Sequence, residues 1–86
     1  MKLIKISAIW CPSCLIMEKV WNEIKDTYPN YEYISYDYDL DDEAESFNPG
    51  NILPVIILLK NGEEINRYIC EKTKEEIIEG IKKYEE

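Results

Sequence analysis

Two changes of residue periodicity in the first half of the chain constrain its fold most strongly. Residues 2–9 are rich in β-branched side chains, which favour a strand. Over residues 15–24 the apolar side chains recur at helical spacing. In residues 31–38, which are rich in tyrosine, apolar and polar side chains alternate loosely, as in a strand. A strand, a helix and a strand in this order predict a right-handed crossover between parallel strands. The predicted buried face of the helix comprises Ile16, Met17, Val20, Trp21 and Ile24.

The second half of the chain predicts a hairpin. The acidic residues 39–47 predict a loop with a short helix, and residues 48–51, Asn-Pro-Gly-Asn, predict a turn. The apolar run 52–59 leads to Asn61-Gly62, the strongest turn signal in the chain. Residues 52–59 are therefore predicted to form a strand that returns over residues 64–70.

A capping box predicts where the last helix begins. Thr73 can accept a hydrogen bond from the first turn while Glu76 reaches back, and the buried stripe that follows is Ile77, Ile78, Ile81 and Tyr84. The complete order is βαβ-(α)-ββα. This order predicts an α/β fold with a four-stranded mixed sheet and helices on both faces.

Length and charge limit the classes of function. The 86 residues predict one domain, residues 1–86, and the formal net charge of −8 argues against nucleic acid and anionic membranes as partners. No apolar run reaches the length of about 20 residues that a membrane span needs. The N-terminus lacks the apolar core of an export signal. We therefore expect a cytoplasmic protein, and we expect it to be a monomer.

The cysteines point to redox chemistry. Cys11 and Cys14 lie two residues apart where the first strand gives way to the first helix, and Pro12 suits the first helical position. Unpaired backbone N–H groups and the helix dipole favour a thiolate there. The chain has three cysteines and no histidine, so neither a secreted disulfide framework nor a common Cys/His zinc site is expected within one chain.

Three features occurring together resemble the thioredoxin superfamily. They are Trp-Cys-Pro-Ser-Cys at residues 10–14, Leu53-Pro54 at the start of an apolar strand, and the final hairpin and helix. The resemblance covers essentially the whole chain and corresponds to a small, glutaredoxin-sized core. It implies that Cys11 is the exposed nucleophile, that Cys14 is the buried resolving thiol, and that a cis peptide bond precedes Pro54.

The resemblance also implies a substrate-binding rim around the dithiol, formed by Trp10, Pro12, Leu53, Pro54, Ile69 and Cys70. Trp10 has a second interpretation as a packing residue of the loop. Cys70, where thioredoxins place a glycine, is interpreted either as a small, half-buried strand residue or as a third redox thiol.

Lys5 marks a departure from the family pattern. Thioredoxins bury an aspartate six residues before the nucleophile, and this chain has Lys5 there. Two interpretations remain open at this point. Lys5 lies near the dithiol and lowers a thiol pKa by its charge, or its side chain extends along the sheet surface to solvent.

The resemblance implies a thiol–disulfide oxidoreductase that reduces protein disulfides through a mixed disulfide and uses no metal or organic cofactor. An unidentified reductase would restore the dithiol. Two alternatives keep the same fold. In one, Cys11 and Cys14 bind a metal or an iron–sulfur cluster between two chains. In the other, the protein is a redox-regulated interaction module without turnover.

Overall fold

A computed structural model describes residues 1–85. The elements in chain order are β1 (Lys2–Ser7), α1 (Pro12–Thr27), β2 (Glu32–Asp37), a short 3-10 helix (Asp42–Phe47), β3 (Val55–Lys60), β4 (Glu63–Ile69) and α2 (Lys74–Glu85). The predicted order of elements is therefore confirmed. The first and third strands are shorter than predicted, because the chain turns after Ser7 and again before Pro54.

The four strands form one mixed sheet in the order β2-β1-β3-β4. β1 pairs with β2 in parallel and with β3 antiparallel, and β3 pairs antiparallel with β4 across the turn at Asn61-Gly62. Both turn residues have positive φ, as the Asn-Gly signal predicts. β1 is thus a central strand, and the chain leaves its carboxyl end directly into the cysteine motif.

The two faces of the sheet carry separate apolar clusters. α1 and α2 cover one face through a buried set that includes Leu3, Met17, Trp21, Ile56 and Ile77. The 3-10 helix covers the other face, where Ala44 packs with Ile4, Ile6, Val55 and Ile57. Helices therefore lie on both faces, as predicted, with the short one alone on the second face.

Two apolar residues lie outside their predicted positions. Ile16 was placed on the buried face of α1 but is exposed, because the buried stripe runs through Cys14, Met17, Trp21 and Ile24. Ile16 lies about 100° around the helix from Met17, the next residue of the chain, which belongs to that stripe. Ile52 was placed in the third strand but is exposed in the bend before it.

The predicted capping box is present at the start of α2. The Glu76 N–H donates to Thr73 Oγ1 at 3.1 Å, and the Thr73 N–H donates to Glu76 Oε2 at 3.3 Å. Two backbone donors of the first turn are satisfied in this way.

Arg67 on β4 fixes the end of the 3-10 helix. Its guanidinium donates to the carbonyl oxygens of Phe47 and Asn48 at 2.6 and 2.9 Å and pairs with Glu64 at 2.8 Å. The hydrogen bonds to Arg67 lower the pKa of Glu64. A charged side chain of the sheet therefore anchors the segment that leads to Leu53 and Pro54.

Gly80 in α2 is expected to resist replacement by alanine. A Cβ atom there would lie 1.7 Å from Tyr68 Oη, although alanine normally improves a helix by about 1 kcal/mol. Because Tyr68 is buried and overpacking costs about 1–3 kcal/mol, we expect Gly80→Ala to destabilise the fold. Urea unfolding followed by circular dichroism measures the change.

Tyr68→Phe provides the matched background for this test, because it removes the clashing oxygen. Tyr68→Phe alone also loses a hydrogen bond from Asn66, so the double variant is compared with that single variant. The cost of Gly80→Ala should shrink in the Tyr68→Phe background. A Gly80→Ala protein more stable than the wild type would contradict the prediction.

Candidate active site

Cys11 is the N-cap residue of α1. Its backbone is extended, with φ −98° and ψ 111°, and Pro12 occupies the first turn of the helix. The Cys14 N–H donates to Cys11 Sγ at 3.2 Å, and the Cys11 thiol lies 3.6 Å from the carbonyl oxygen of Leu53. The sulfur thus sits between a backbone donor of the first helical turn and the loop before β3, as the predicted strand-to-helix junction requires.

Both thiols of the motif are buried. The exposed fraction is 6% for Cys11 and 5% for Cys14. The resemblance implied an exposed Cys11, and the structure corrects this, because the sulfur is turned toward the Leu53 carbonyl and the first turn of α1. Little of Cys11 is therefore directly accessible to a reacting group.

Burial, followed by the hydrogen bond with Cys11, raises the pKa of the Cys14 thiol to about 11. A hydrogen bond with the Ala8 backbone and the charge of Lys5 both lower this pKa, but by less. Cys14 therefore holds its proton at neutral pH in this state. Reaction at Cys14 requires that the proton be removed.

Leu53 and Pro54 lie beside the dithiol and are joined by a cis peptide bond, as the resemblance implied. Both side chains are buried. The Cys70 N–H donates to the Pro54 carbonyl at 2.9 Å. The structure thus brings Cys11, Leu53, Pro54 and Cys70 together from three parts of the chain.

Cys70 is half-buried and has a φ of 67°, in the left-handed region that favours glycine. It lies just after β4, where Ile69 is paired with Val55. Its position agrees with the interpretation as a small, half-buried residue near the dithiol.

Trp10 combines the two interpretations that the sequence left open. The side chain is 58% exposed, yet its Nε1 donates to Asp39 at 2.6 Å and its ring packs edge-on against Tyr38. Pro12 and Ile69 are also exposed. These three predicted rim residues present side chains to solvent, and Asp39 holds Trp10 in place.

Sequence reasoning missed several exposed apolar residues that neighbour the site along the chain. Ile9 precedes Trp10, Leu15 follows Cys14, Ile52 precedes Leu53, and Leu40 follows Asp39; all four are exposed. Ile9 and Leu15 are close in sequence to the cysteine motif and Ile52 to Leu53-Pro54, and this closeness is the signal that could have identified these three. With Trp10, Pro12 and Ile69 we call them the apolar rim.

Lys5 is buried, at 4% exposure, and does not extend to solvent. Its ammonium group pairs with Glu18 at 2.5 Å and lies 5.2 Å from the centre of the Trp21 ring. The interpretation as a solvent-reaching lysine is therefore wrong, because α1 covers this face of β1 and supplies both a carboxylate and an aromatic face. The charge of Lys5 acts on Cys14, whose pKa it lowers.

A cavity of about 180 Å³ lies beside Cys14. Its lining is Ser7, Ala8, Ile9, Cys14, Leu15, Glu18 and Asp37. Glu18 follows Cys14 by four residues, which places both side chains on one face of α1. That spacing could have identified Glu18 from the sequence.

Two further findings concern residues 1–85. Over this range no group of three or more histidine, cysteine, aspartate or glutamate side chains is placed to hold a metal ion. Within the same described part of the chain, no helix combines the length and apolar character needed to cross a bilayer.

Comparison with known proteins identifies the family. The family model for thioredoxin matches residues 1–83. The chain belongs to the thioredoxin family. Thioredoxin H2 of Arabidopsis thaliana is 32% identical over 82 residues, which cover 94% of this chain and 60% of that protein. Thioredoxin H4-1 of rice is 33% identical over 64 residues, covering 73% of this chain and 48% of that protein. The chain thus spans between about half and three fifths of these thioredoxins.

The crystal structure of a thioredoxin from Nicotiana alata superimposes with a TM-score of 0.85 at 32% identity, covering 96% of this chain and 71% of that one. The four-stranded mixed sheet is therefore a thioredoxin fold.

Proposed function

We propose that this thioredoxin-family chain is a thiol–disulfide oxidoreductase that reduces protein disulfides, with Cys11 as nucleophile and Cys14 as resolving thiol. The observation that carries the proposal is the placement of Cys11 at the start of α1. There its sulfur receives the Cys14 N–H and faces the loop of Leu53 and Pro54. A helix N-terminus stabilises negative charge, and the thiolate is the nucleophilic form of cysteine.

In the first step the Cys11 thiolate attacks one sulfur of the substrate disulfide. A bond forms between Cys11 and that sulfur, the substrate disulfide breaks, and the other substrate sulfur leaves as a thiolate that takes a proton from solvent. In the second step Cys14 attacks Cys11. The Cys11–Cys14 disulfide forms, and the second substrate thiol is released.

The second step is intramolecular. Cys14 lies within hydrogen-bond distance of Cys11 on the first turn of one helix, so its effective concentration is high. Two electrons have then passed from the dithiol to the substrate. An unidentified reductase would return two electrons to the Cys11–Cys14 disulfide, and no metal or organic cofactor takes part.

The apolar rim supports a protein as substrate. Trp10 and Pro12 flank Cys11 in the chain and Ile69 precedes Cys70; all three are exposed, and exposed apolar residues next to a reactive group commonly mark a protein-binding surface. Leu53, Pro54 and Cys70 would contribute backbone atoms to the same surface. We further propose that residues 1–86 act as one domain, as a monomer, in the cytoplasm.

Reduction of insulin by dithiothreitol tests the proposal. We expect the wild-type protein to accelerate precipitation of the insulin B chain over dithiothreitol alone, and we expect the purified protein to carry no stoichiometric zinc or iron. Metal bound at one ion or cluster per two chains, with no acceleration, would support the metal-binding alternative. Absence of both metal and acceleration would support the interaction module and overturn the proposal.

A further inference from the structure

In the resolving step of the proposed function, on which this inference rests, the Cys14 thiol must give its proton to another group. Cys14 is 5% exposed, so bulk water has little direct access to its sulfur. The charged and titratable groups around it are Cys11, Lys5 on β1, Glu18 on α1 and Asp37 at the end of β2. The two carboxylates line the same cavity as Cys14.

This cavity is open to solvent, and Glu18 is part of its lining. Its side chain is 54% exposed, and it lies one helical turn after Cys14 on the same side of α1. The cavity of about 180 Å³ has room for several water molecules, since one water needs about 15 Å³. A proton can therefore pass from Cys14 through water to Glu18, and from there to bulk solvent.

Lys5 holds the Glu18 carboxylate in position. The ammonium group is buried under α1, and the ion pair of 2.5 Å draws the carboxylate toward β1, the strand that leads into the cysteine motif. The Trp21 ring, 5.2 Å from the ammonium nitrogen, restrains Lys5 from the other side. An exposed glutamate is thereby fixed beside a buried thiol.

Asp37 is less suited to the same task. Its Oδ1 accepts the N–H groups of Asp39 and Leu40 at 2.8 and 3.0 Å, so this carboxylate is engaged in holding the following turn. Asp37 also belongs to β2, whereas Glu18 lies one turn after Cys14 on the helix that carries this thiol.

We propose that Glu18, positioned by Lys5, accepts the proton of Cys14 when Cys14 resolves the mixed disulfide. The arrangement differs from a buried aspartate beneath the dithiol, since the buried residue here is a cation and the carboxylate belongs to the helix that carries Cys14.

Bonds and charges balance when Cys14 resolves the mixed disulfide. The Cys14 S–H bond breaks and its proton passes through water to the Glu18 carboxylate, while the Cys14 sulfur bonds to Cys11. The bond between Cys11 and the substrate sulfur breaks, and that sulfur leaves with the electron pair and takes a proton from solvent. Glu18 then releases its proton to solvent, and its ion pair with Lys5 is restored.

The electrostatics of the intermediate favour this transfer. After burial, the hydrogen bond with Cys11 and the charge of Cys11 both contribute to the raised pKa of Cys14. In the mixed disulfide Cys11 carries neither a proton nor a charge, so these two contributions disappear. The charge of Lys5, which lowers the pKa of Cys14, remains.

Reaction with dithionitrobenzoate separates the two steps. The first thionitrobenzoate is released when Cys11 forms the mixed disulfide, and the second is released when Cys14 resolves it. All variants carry Cys70→Gly, so that a third thiol does not contribute to the absorbance. Glu23→Gln is the matched control, because Glu23 lies on the same helix and pairs with Lys74 at 3.7 Å, away from the dithiol.

We expect Glu18→Gln to slow the second release by about a hundredfold at neutral pH, since general bases contribute about 10²–10⁴ in rate. The first release should be unchanged, and the second should recover as pH rises and Cys14 ionises without help. Glu18→Asp should restore part of the rate, and Glu23→Gln should behave as the reference protein.

A faster second release in Glu18→Gln would overturn the inference. If Lys5 acts on Cys14 through its charge alone, Glu18→Gln leaves that charge unpaired and accelerates the second release. An unchanged second release would overturn it as well. If the reference protein shows no pair of successive releases from Cys11 and Cys14, the proposed function itself has failed.

Discussion

The Cys14→Ala variant is expected to lose catalytic turnover and to accumulate with substrate covalently bound to Cys11. Removal of the resolving thiol leaves the first step intact, because Cys11 keeps its place at the start of α1. The mixed disulfide then has no internal thiol to break it. Alanine is preferred to serine, since a hydroxyl at a position with 5% exposure would need a hydrogen-bond partner. Mass spectrometry of the variant after reaction with insulin measures the adduct.

Cys11→Ser is the matched control for this prediction. Serine is a favoured N-cap residue, so the hydroxyl can accept the Cys14 N–H and preserve the start of the helix. This variant should neither turn over nor form the adduct, while unfolding near the wild-type urea concentration. An adduct on Cys14 in Cys11→Ser, or turnover by Cys14→Ala, would contradict the assigned roles of the two thiols.

Trp21→Ala is expected to cost about 3–5 kcal/mol of the free energy of unfolding. The indole is buried against the sheet, packs edge-on with Tyr33 at 5.5 Å between ring centres, and supplies the aromatic face beneath Lys5. Its removal leaves a cavity and also deprives a buried ammonium group of a favourable contact. Because the free energy of unfolding of a small domain is about 5–15 kcal/mol in total, this variant should unfold at a much lower urea concentration than the wild type.

Trp21→Phe separates the two causes, since it keeps an aromatic face near Lys5 while removing part of the buried area. We expect its loss to be clearly smaller than that of Trp21→Ala. Circular dichroism during urea unfolding gives both values. A Trp21→Ala protein whose unfolding midpoint matches the wild type would show that the indole does not support this core.

The fold could be predicted largely from local patterns. The capping box at Thr73 and Glu76 and the Asn61-Gly62 turn each depend on a few neighbouring residues, and the structure confirms both. Strand and helix bounds were less accurate where a turn competes with an apolar run. Ile52 has the composition of a strand residue, but it lies in the bend before Pro54, and strand pairing begins only at Val55.

The parts of the site that depend on residues close together in sequence could be predicted. Cys11 and Cys14 have the predicted location at the start of α1, whereas the surroundings of Lys5 depend on how α1 lies across β1. A lysine in a strand gives no sign of the helix residue that will face it. The burial of Cys11 was missed for the same reason, since Leu53 is distant in the chain and meets the thiol only in the folded protein.

The hydrogen bonds of Arg67 to Phe47 and Asn48 have a consequence for recognition. The stretch from Asn48 to Pro54 is fastened to β4 at its beginning and enters β3 at its end. This stretch is held at both ends, so its shape is set when the chain folds. In the proposed function, a substrate would dock along the backbone of Leu53 onto a segment that is held at both ends, so ordering this segment would add little to the cost of docking.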